Sequence, residues 1–515
     1  MLIVVTLILG VFEKDVPNAY FHFAIFSSAL ALLYHRSLIT QYLTGWDIHL
    51  EYYVSSSVLI NSYWDQSFPF TLNSMLPISI GIPILSEISG INIIWVYKSV
   101  SPILFSMVPT VLYHVYKYLF NKKIAFCSAF LFISFYAFFT EMLALVRQQI
   151  AMLIFALILL IIANNELLNN KKLLLINIFS IMLVFSHYLI FYILIFLFTV
   201  MIIKSKSNLF SIFSYFTLIV LSFIWYVYIS QGFVYDSTSN FISNLLSNLH
   251  SEFFSTNARD PSISYVLGRL PTLTIFRYFT AFYQYVVIIL LLFGFAYLNI
   301  YHKIKNTDFK KISIGSFLLL IICLIVPYLS LVNMERLFLI ALMPLSPFCI
   351  FGGILFLKLI KKLLRIQNKL ENIKLISILL LTPYLLLNSG FVYEVAHDPP
   401  SSISFDQTID YPRFNNYEYS SAQWLLIYKS SIPIYADLYR VLLIMGLDYF
   451  SANQITSSGV VSQSYVFLGT TNIKYSRVLI SIYEEGKTTR TYVSYSPYCD
   501  FRNYAYDNGG SKICF

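Results

Sequence analysis

Charge is what this 515-residue sequence has least of: 11% of its residues are Asp, Glu, Lys or Arg, against 58% hydrophobic. Soluble globular domains carry roughly a quarter charged residues, so the shortage excludes an ordinary soluble enzyme. A mean hydropathy of +0.71 agrees. No G-x-G-x-x-G or P-loop spacing is present, so nothing in the chain resembles a glycine-rich nucleotide loop. There is no internal repeat and no extended low-complexity tract. Cysteine is scarce as well. Cys127, Cys323 and Cys349 fall in apolar runs as small core residues, which leaves Cys499 and Cys514 as a pair able to form a disulfide in an oxidising exterior. The net charge of +9 does not mark a nucleic-acid binder, because the basic residues gather in short loops between apolar runs.

What is abundant is membrane-length apolar sequence. About 20 apolar residues cross a hydrocarbon core of about 30 Å. On that criterion eleven spans are expected, near 19–38, 92–116, 124–140, 145–163, 173–187, 188–203, 208–230, 278–300, 312–331, 337–357 and 373–388. The fold class is an all-α polytopic membrane protein. Met1 to Phe12 is too short to cross and reads as a fragment of a span or an interfacial piece. Half of the 34 Lys and Arg residues lie in the alternate loops at 117–123, 171–172, 204–206, 303–311 and 358–374. Cytoplasmic loops retain positive charge, so these face inward. The opposite loop at 39–74 contains no Lys or Arg and carries Asp47, Glu51 and Asp65. It faces outward, and with eleven spans so does the tail.

Two outer segments stand apart from the 1–388 membrane region. In the loop 231–277, Ile242, Leu245, Leu246, Leu249 and Phe253 recur at helical spacing, as in a helix lying in the interface plane. From 389 to 515 the composition turns to Ser, Asn, Asp and short alternating runs, which reads as a small extracytoplasmic α/β domain. A helix near Ser420 to Tyr428 and strands at 432–437 and 465–469 are expected there.

The stretch Gly45-Trp46-Asp47-Ile48-His49-Leu50-Glu51-Tyr52-Tyr53 carries the chemistry. Ionisable residues beside a membrane span are costly unless they face water or a cavity, which makes them functional candidates. Asp47 and Glu51 are four apart and share one face of a helix, with His49 pointing elsewhere. Two such carboxylates can hold a divalent cation such as Mg or Mn, or one can act as a general base while the other tunes it. The bland alternative is that they solvate a loop or anchor the aromatic belt of Trp46, Tyr52 and Tyr53. Glu141, Arg147, His187 and Arg336 fall at the same outer depth, and Arg269 and Arg277 flank the long outer loop. Arg and protonated His suit phosphate oxygens, while Arg147 and Arg336 are equally able to pair with Glu141 and Glu335. Lys98, near the outer end of a span, is expected to snorkel.

These residues, together with Asn61-Ser62-Tyr63-Trp64-Asp65, Thr140-Glu141, Arg147-Gln148-Gln149, Ser186-His187-Tyr188 and Glu335-Arg336-Leu337, resemble a family of uncharacterised archaeal multi-spanning membrane proteins. That family in turn resembles the GT-C superfamily of lipid-dependent glycosyltransferases. The resemblance runs from about residue 30 into the tail and is most specific in the first outer loop. It implies a GT-C-like fold, a polyprenyl-phosphate-linked sugar as donor, and Asp47 as the acidic residue of the first outer loop, with Glu51 as a second carboxylate. Inverting transfer to a protein, lipid or glycan acceptor at the outer face of the cell membrane follows from it, with His49, Glu141, Arg147, His187, Arg269 and Arg336 as substrate-binding candidates. In this sequence the two acids are separated, whereas several such families have them adjacent. The competing class is a transporter or flippase of lipid-linked saccharides. Such a protein would carry ionisable residues at mid-membrane depth and broken spans in related halves, and here the charges sit at the rim and no halves repeat.

Overall fold

A computed structural model describes residues 1–13, 16–203, 212–252, 274–301, 304–326, 333–365, 371–398, 402–429, 431–457, 459–484 and 487–515, in a helical body followed by a C-terminal sheet domain. Among the described residues, four helices are long and apolar enough to cross a membrane: Ile93–Leu119, Val146–Ala163, Ile275–Ile300 and Met334–Leu363. Two bent pairs raise this to six. Lys122–Ser134 and Tyr136–Ala144 turn by 65°, and Ser214–Ile229 and Phe233–Ser247 by 108°. Four to six of the eleven expected spans are thus supported by length and composition among the described residues, and Tyr188–Ile203 and Asn372–Asn388 are shorter apolar helices. The runs at 173–187 and 188–203 are two helices, Asn169–Ser186 and Tyr188–Ile203, separated by the extended backbone of His187. In the long 231–277 segment, a helix Phe233–Glu252 follows the 108° bend, and 253–273 lie outside the described residues. The opening helix α1, Leu2–Phe12, buries Leu7 and Val11 completely in the main core beside α2, Asn18–Ser37, so it is packed in the body.

Breaks in the helical ladder are repaired locally, as an apolar surrounding requires. Pro347 has no N–H to give the carbonyl of Met343 four residues earlier, and the Tyr116 hydroxyl donates to that carbonyl instead. The helices Ile275–Ile300 and Met334–Leu363 cross where Gly294 faces Phe348 and Gly352 faces Leu290, and a Cβ at either glycine would overlap the facing backbone carbonyl. Small residues that let backbones approach this closely are the usual device of membrane helix pairs.

The sheet domain meets the helical body along the 39–74 loop. Its five-stranded sheet has the order β2-β1-β3-β7-β6, with β1 Ile434–Ala436, β2 Ala452–Gln454, β3 Tyr465–Leu468, β6 Tyr504–Asp507 and β7 Lys512–Cys514. β1 runs parallel to β2 and β3, while β7 is antiparallel to β3 and β6. β4 Arg477–Glu484 and β5 Lys487–Ser494 form a separate antiparallel pair. The expected helix and strands are present as Asn416–Tyr428, β1 and β3, and Cys499 is joined to Cys514. The connecting strap binds the body: Phe405 lies against His35, and the Arg36 guanidinium is 5.3 Å from the ring centre of Tyr411. A glycine is required where the strap meets the loop. Gly45 has φ +122, its amide donates to Pro412, and a Cβ there would crowd Ala144.

Candidate functional site

Lys98 fixes the entry to the 39–74 loop. Its ammonium is buried and donates to the carbonyls of Ser37 at 2.6 Å, Thr40 at 2.5 Å and Tyr42 at 2.9 Å, so it staples the end of α2 to the loop rather than snorkelling outward. The loop then turns at Gly45 into α3, Ile48–Asn61. Asp47 occupies the N-cap position of α3 but makes no side-chain capping bond. It is turned toward Arg147.

Arg147 begins the helix Val146–Ala163 and grips both acids at once. Its Nη2 is 2.7 Å from Asp47 Oδ2 and its Nη1 is 2.5 Å from Glu51 Oε1. The Val146 amide donates to Glu51 Oε2 at 2.9 Å, so Glu51 takes one of the free N–H groups at that helix start. Arg336, from the start of Met334–Leu363, lies 3.3 Å from Glu141 Oε2 and 3.9 Å from Asp47 Oδ2. The pairing of Arg147 with Glu141 and of Arg336 with Glu335 is therefore replaced by a linked group of two guanidiniums and three carboxylates. Its members come from the first loop, the 140–147 turn and a helix some two hundred residues further on.

The two acids are not equivalent. The Glu51 side chain is completely buried, whereas that of Asp47 is 35% exposed. Burial pushes the Glu51 carboxyl up to about 7 against the pull of Arg147. His187 is buried at the helix break, where the charges of Arg147 and Arg336 both act on it, and its Nδ1 has no hydrogen-bond partner. The Nε atoms of Arg147 and Arg336 are likewise buried without a partner. The group thus combines two partly exposed carboxylates, Asp47 and Glu141, with unused nitrogen positions.

His49 does not join it. The ring is buried against the sheet domain, edge-on to Phe414 at 5.3 Å and against Gly446, and burial lowers its pKa to about 3. It is a neutral docking residue, because its place on α3 points it away from the face that carries Asp47 and Glu51. Arg269 lies outside the described residues. Arg277, at the start of Ile275–Ile300, is not joined to the group by an ion pair. A divalent cation shared by Asp47 and Glu51 does not fit this arrangement, since the Arg147 guanidinium stands between the carboxylates and Glu51 Oε2 is taken by an amide. Among the described residues, no three His, Cys, Asp or Glu side chains converge as a metal site.

Sequence reasoning missed the supports around the acids. Ser55 is hydrogen-bonded to Tyr97 at 2.5 Å and donates to the carbonyls of Glu51 and Ile78, which ties α3 to two neighbouring segments. Trp46 is held from the sheet domain, with Tyr439 at its edge and the Arg490 guanidinium 4.7 Å from its ring centre. The sheet domain therefore covers the residue before Asp47. Only the concentration of aromatic residues in 45–53 hinted at such a cover.

A family model described as "Predicted membrane protein (DUF2206)" matches residues 171–514. No curated protein matches the sequence significantly. Among solved structures, an archaeal oligosaccharyltransferase from Archaeoglobus fulgidus, AglB in complex with an inhibitory peptide and a dolichol-phosphate, is similar with 12% identity and a TM-score of 0.48, covering 93% of this chain and 74% of that one. The Archaeoglobus fulgidus oligosaccharyltransferase tethered to an acceptor peptide has 13% identity and a TM-score of 0.49, with the same coverage.

Proposed function

The chain belongs to the DUF2206 family of predicted membrane proteins, and from that premise we propose that it is a membrane glycosyltransferase. It moves a sugar from a polyprenyl-phosphate-linked donor to an acceptor at the extracytoplasmic face, with inversion. The observation that supports this is the division between the two acids: buried Glu51 holds Arg147, and Arg147 in turn holds the accessible Asp47 beside Arg336.

In this reading Asp47 takes the proton of the acceptor hydroxyl as the acceptor oxygen bonds to the anomeric carbon. The bond from that carbon to the phosphate oxygen breaks, and the lipid phosphate leaves with the electron pair. Arg147 and Arg336 face the charge that grows on the leaving phosphate, and His187 has a free ring nitrogen for a substrate oxygen. Glu51 is a positioning residue that sets the Arg147 fork. A donor held in the membrane has no need of the nucleotide loop that the sequence lacks. No step passes through a metal.

The test is mass spectrometry of polyprenyl-phosphate sugars incubated with the lipid-reconstituted protein and a mixed acceptor extract, comparing wild type with Asp47→Asn. Donor consumption by wild type and none by the variant is expected. Consumption by both would remove Asp47 from the mechanism, and bound donor consumed by neither would favour a flippase.

A further inference from the structure

A basic cavity lies at the other end of the helix that carries Arg336. Met334–Leu363 begins at the ion group with Arg336 and ends among Lys358, Lys361 and Lys362. Its last turns, the start of Lys122–Ser134 and the start of Asn372–Ile376 enclose an open cavity of ≈ 630 Å³. Lys122, Lys123 and Lys358 line it with Glu371, while Ile124, Ile354 and Ile373 supply an apolar wall. The three ammonium groups exceed the single carboxylate. Lys123 donates to the carbonyl of Val11, and Lys122 and Lys358 have no carboxylate partner among the described residues.

We infer that this cavity binds an anionic glycerophospholipid, with its phosphate between Lys122 and Lys358 and an acyl chain along the isoleucine wall. Charge complementarity selects the anion, and the apolar wall selects a lipid over a soluble phosphate, which would leave that wall unused. The location agrees. The cavity sits where Met334–Leu363, a helix of membrane-crossing length, ends in the lysine-rich loops, the depth at which basic pockets between helices meet headgroups. A lipid there would brace three helix ends, including that of the helix whose opposite end holds Arg336.

The experiment reconstitutes the full chain into vesicles of mixed phosphatidylglycerol and phosphatidylcholine, extracts it in mild detergent, and counts retained lipid by mass spectrometry. Wild type is expected to retain phosphatidylglycerol in excess, and Lys122→Gln with Lys358→Gln to lose that preference by roughly fivefold per lysine at low salt. Inorganic phosphate is expected not to displace the lipid. Equal retention of both lipids, a preference undiminished in the double variant, or displacement by inorganic phosphate would overturn the proposal. Where the double variant fails to fold, wild type is extracted across a salt series, and a preference unchanged at high salt is equally contrary.

Discussion

Arg147 at the rim of the helical body and Arg440 inside the sheet domain are both held by carboxylates from distant parts of the chain, but the two groups are finished differently. Arg440 is 1% exposed, and its partners Asp410, Glu418 and Asp437 are 3%, 2% and 0% exposed. Those carboxylates also accept protein donors: Asp437 from Asn472 and the amides of Tyr439 and Arg440, Glu418 from the amide of Thr470, and Asp410 from Tyr492. Gly469 leaves room for this knot, since a Cβ there would overlap Glu418 and crowd Arg440. At the rim, Asp47, Glu141 and Arg336 stay 35%, 29% and 22% exposed, and both guanidiniums keep an Nε without a partner. A sealed ion group organises a fold. An open one has capacity left for a substrate.

The largest difference is expected in turnover. Asp47→Asn should lower transfer by roughly 10²–10⁴-fold, the usual worth of a positioned proton acceptor, with the unfolding temperature little changed. Stability should respond in the opposite order: Arg440→Met strands three buried carboxylates and should cost about 3–5 kcal/mol, read as a lowered unfolding temperature of the solubilised full chain. Arg147→Met also strands a buried acid, Glu51, but here a single further change, Glu51→Leu, should restore most of the lost stability. No one change can do so at Arg440, and restoration there by Asp410→Leu alone would blur the distinction.

A smaller effect concerns pH. The folded chain holds the Glu51 proton up to about 7 against a reference of 4.5, so folding takes up a proton between those values. Stability from this group is therefore lost as pH rises through that window, on the order of 1–3 kcal/mol, and Glu51→Gln should flatten the slope in thermal melts. Smallest of all is the response to chelation. With Arg147 between the acids, transfer should be unchanged by EDTA and by added Mn, and a requirement for the cation would show that Arg147 does not hold that position during turnover.

The acids were legible because a loop without Lys or Arg, beside a membrane run, isolates Asp47 and Glu51 at helical spacing. Their partner was not. The contact between Glu51 and Arg147 joins residues 96 apart, and no local pattern distinguishes it from the nearer choice of Glu141. His49 was correctly seen to point away from the acids, but its neighbour Phe414 belongs to a domain whose docking no periodicity records. Lys98 was misread because the carbonyl ending α2 and two loop carbonyls converge on it only after folding. Of the expected spans, four to six are supported among the described residues, and several of the other apolar runs form shorter helices, Leu2–Phe12, Tyr188–Ile203 and Asn372–Asn388 among them, whose ends no composition marks. The C-terminal strands, the long helix of the outer loop and the cysteine pair were legible from alternation, helical spacing and composition.

The most direct measurement pairs turnover of the polyprenyl-phosphate-linked donor with the unfolding temperature in Asp47→Asn and Asp437→Asn, both in lipid-reconstituted full chain. The account predicts that the first variant is folded and inactive, and that the second is destabilised yet keeps wild-type turnover in whatever fraction stays folded. A folded, fully active Asp47→Asn protein would contradict it.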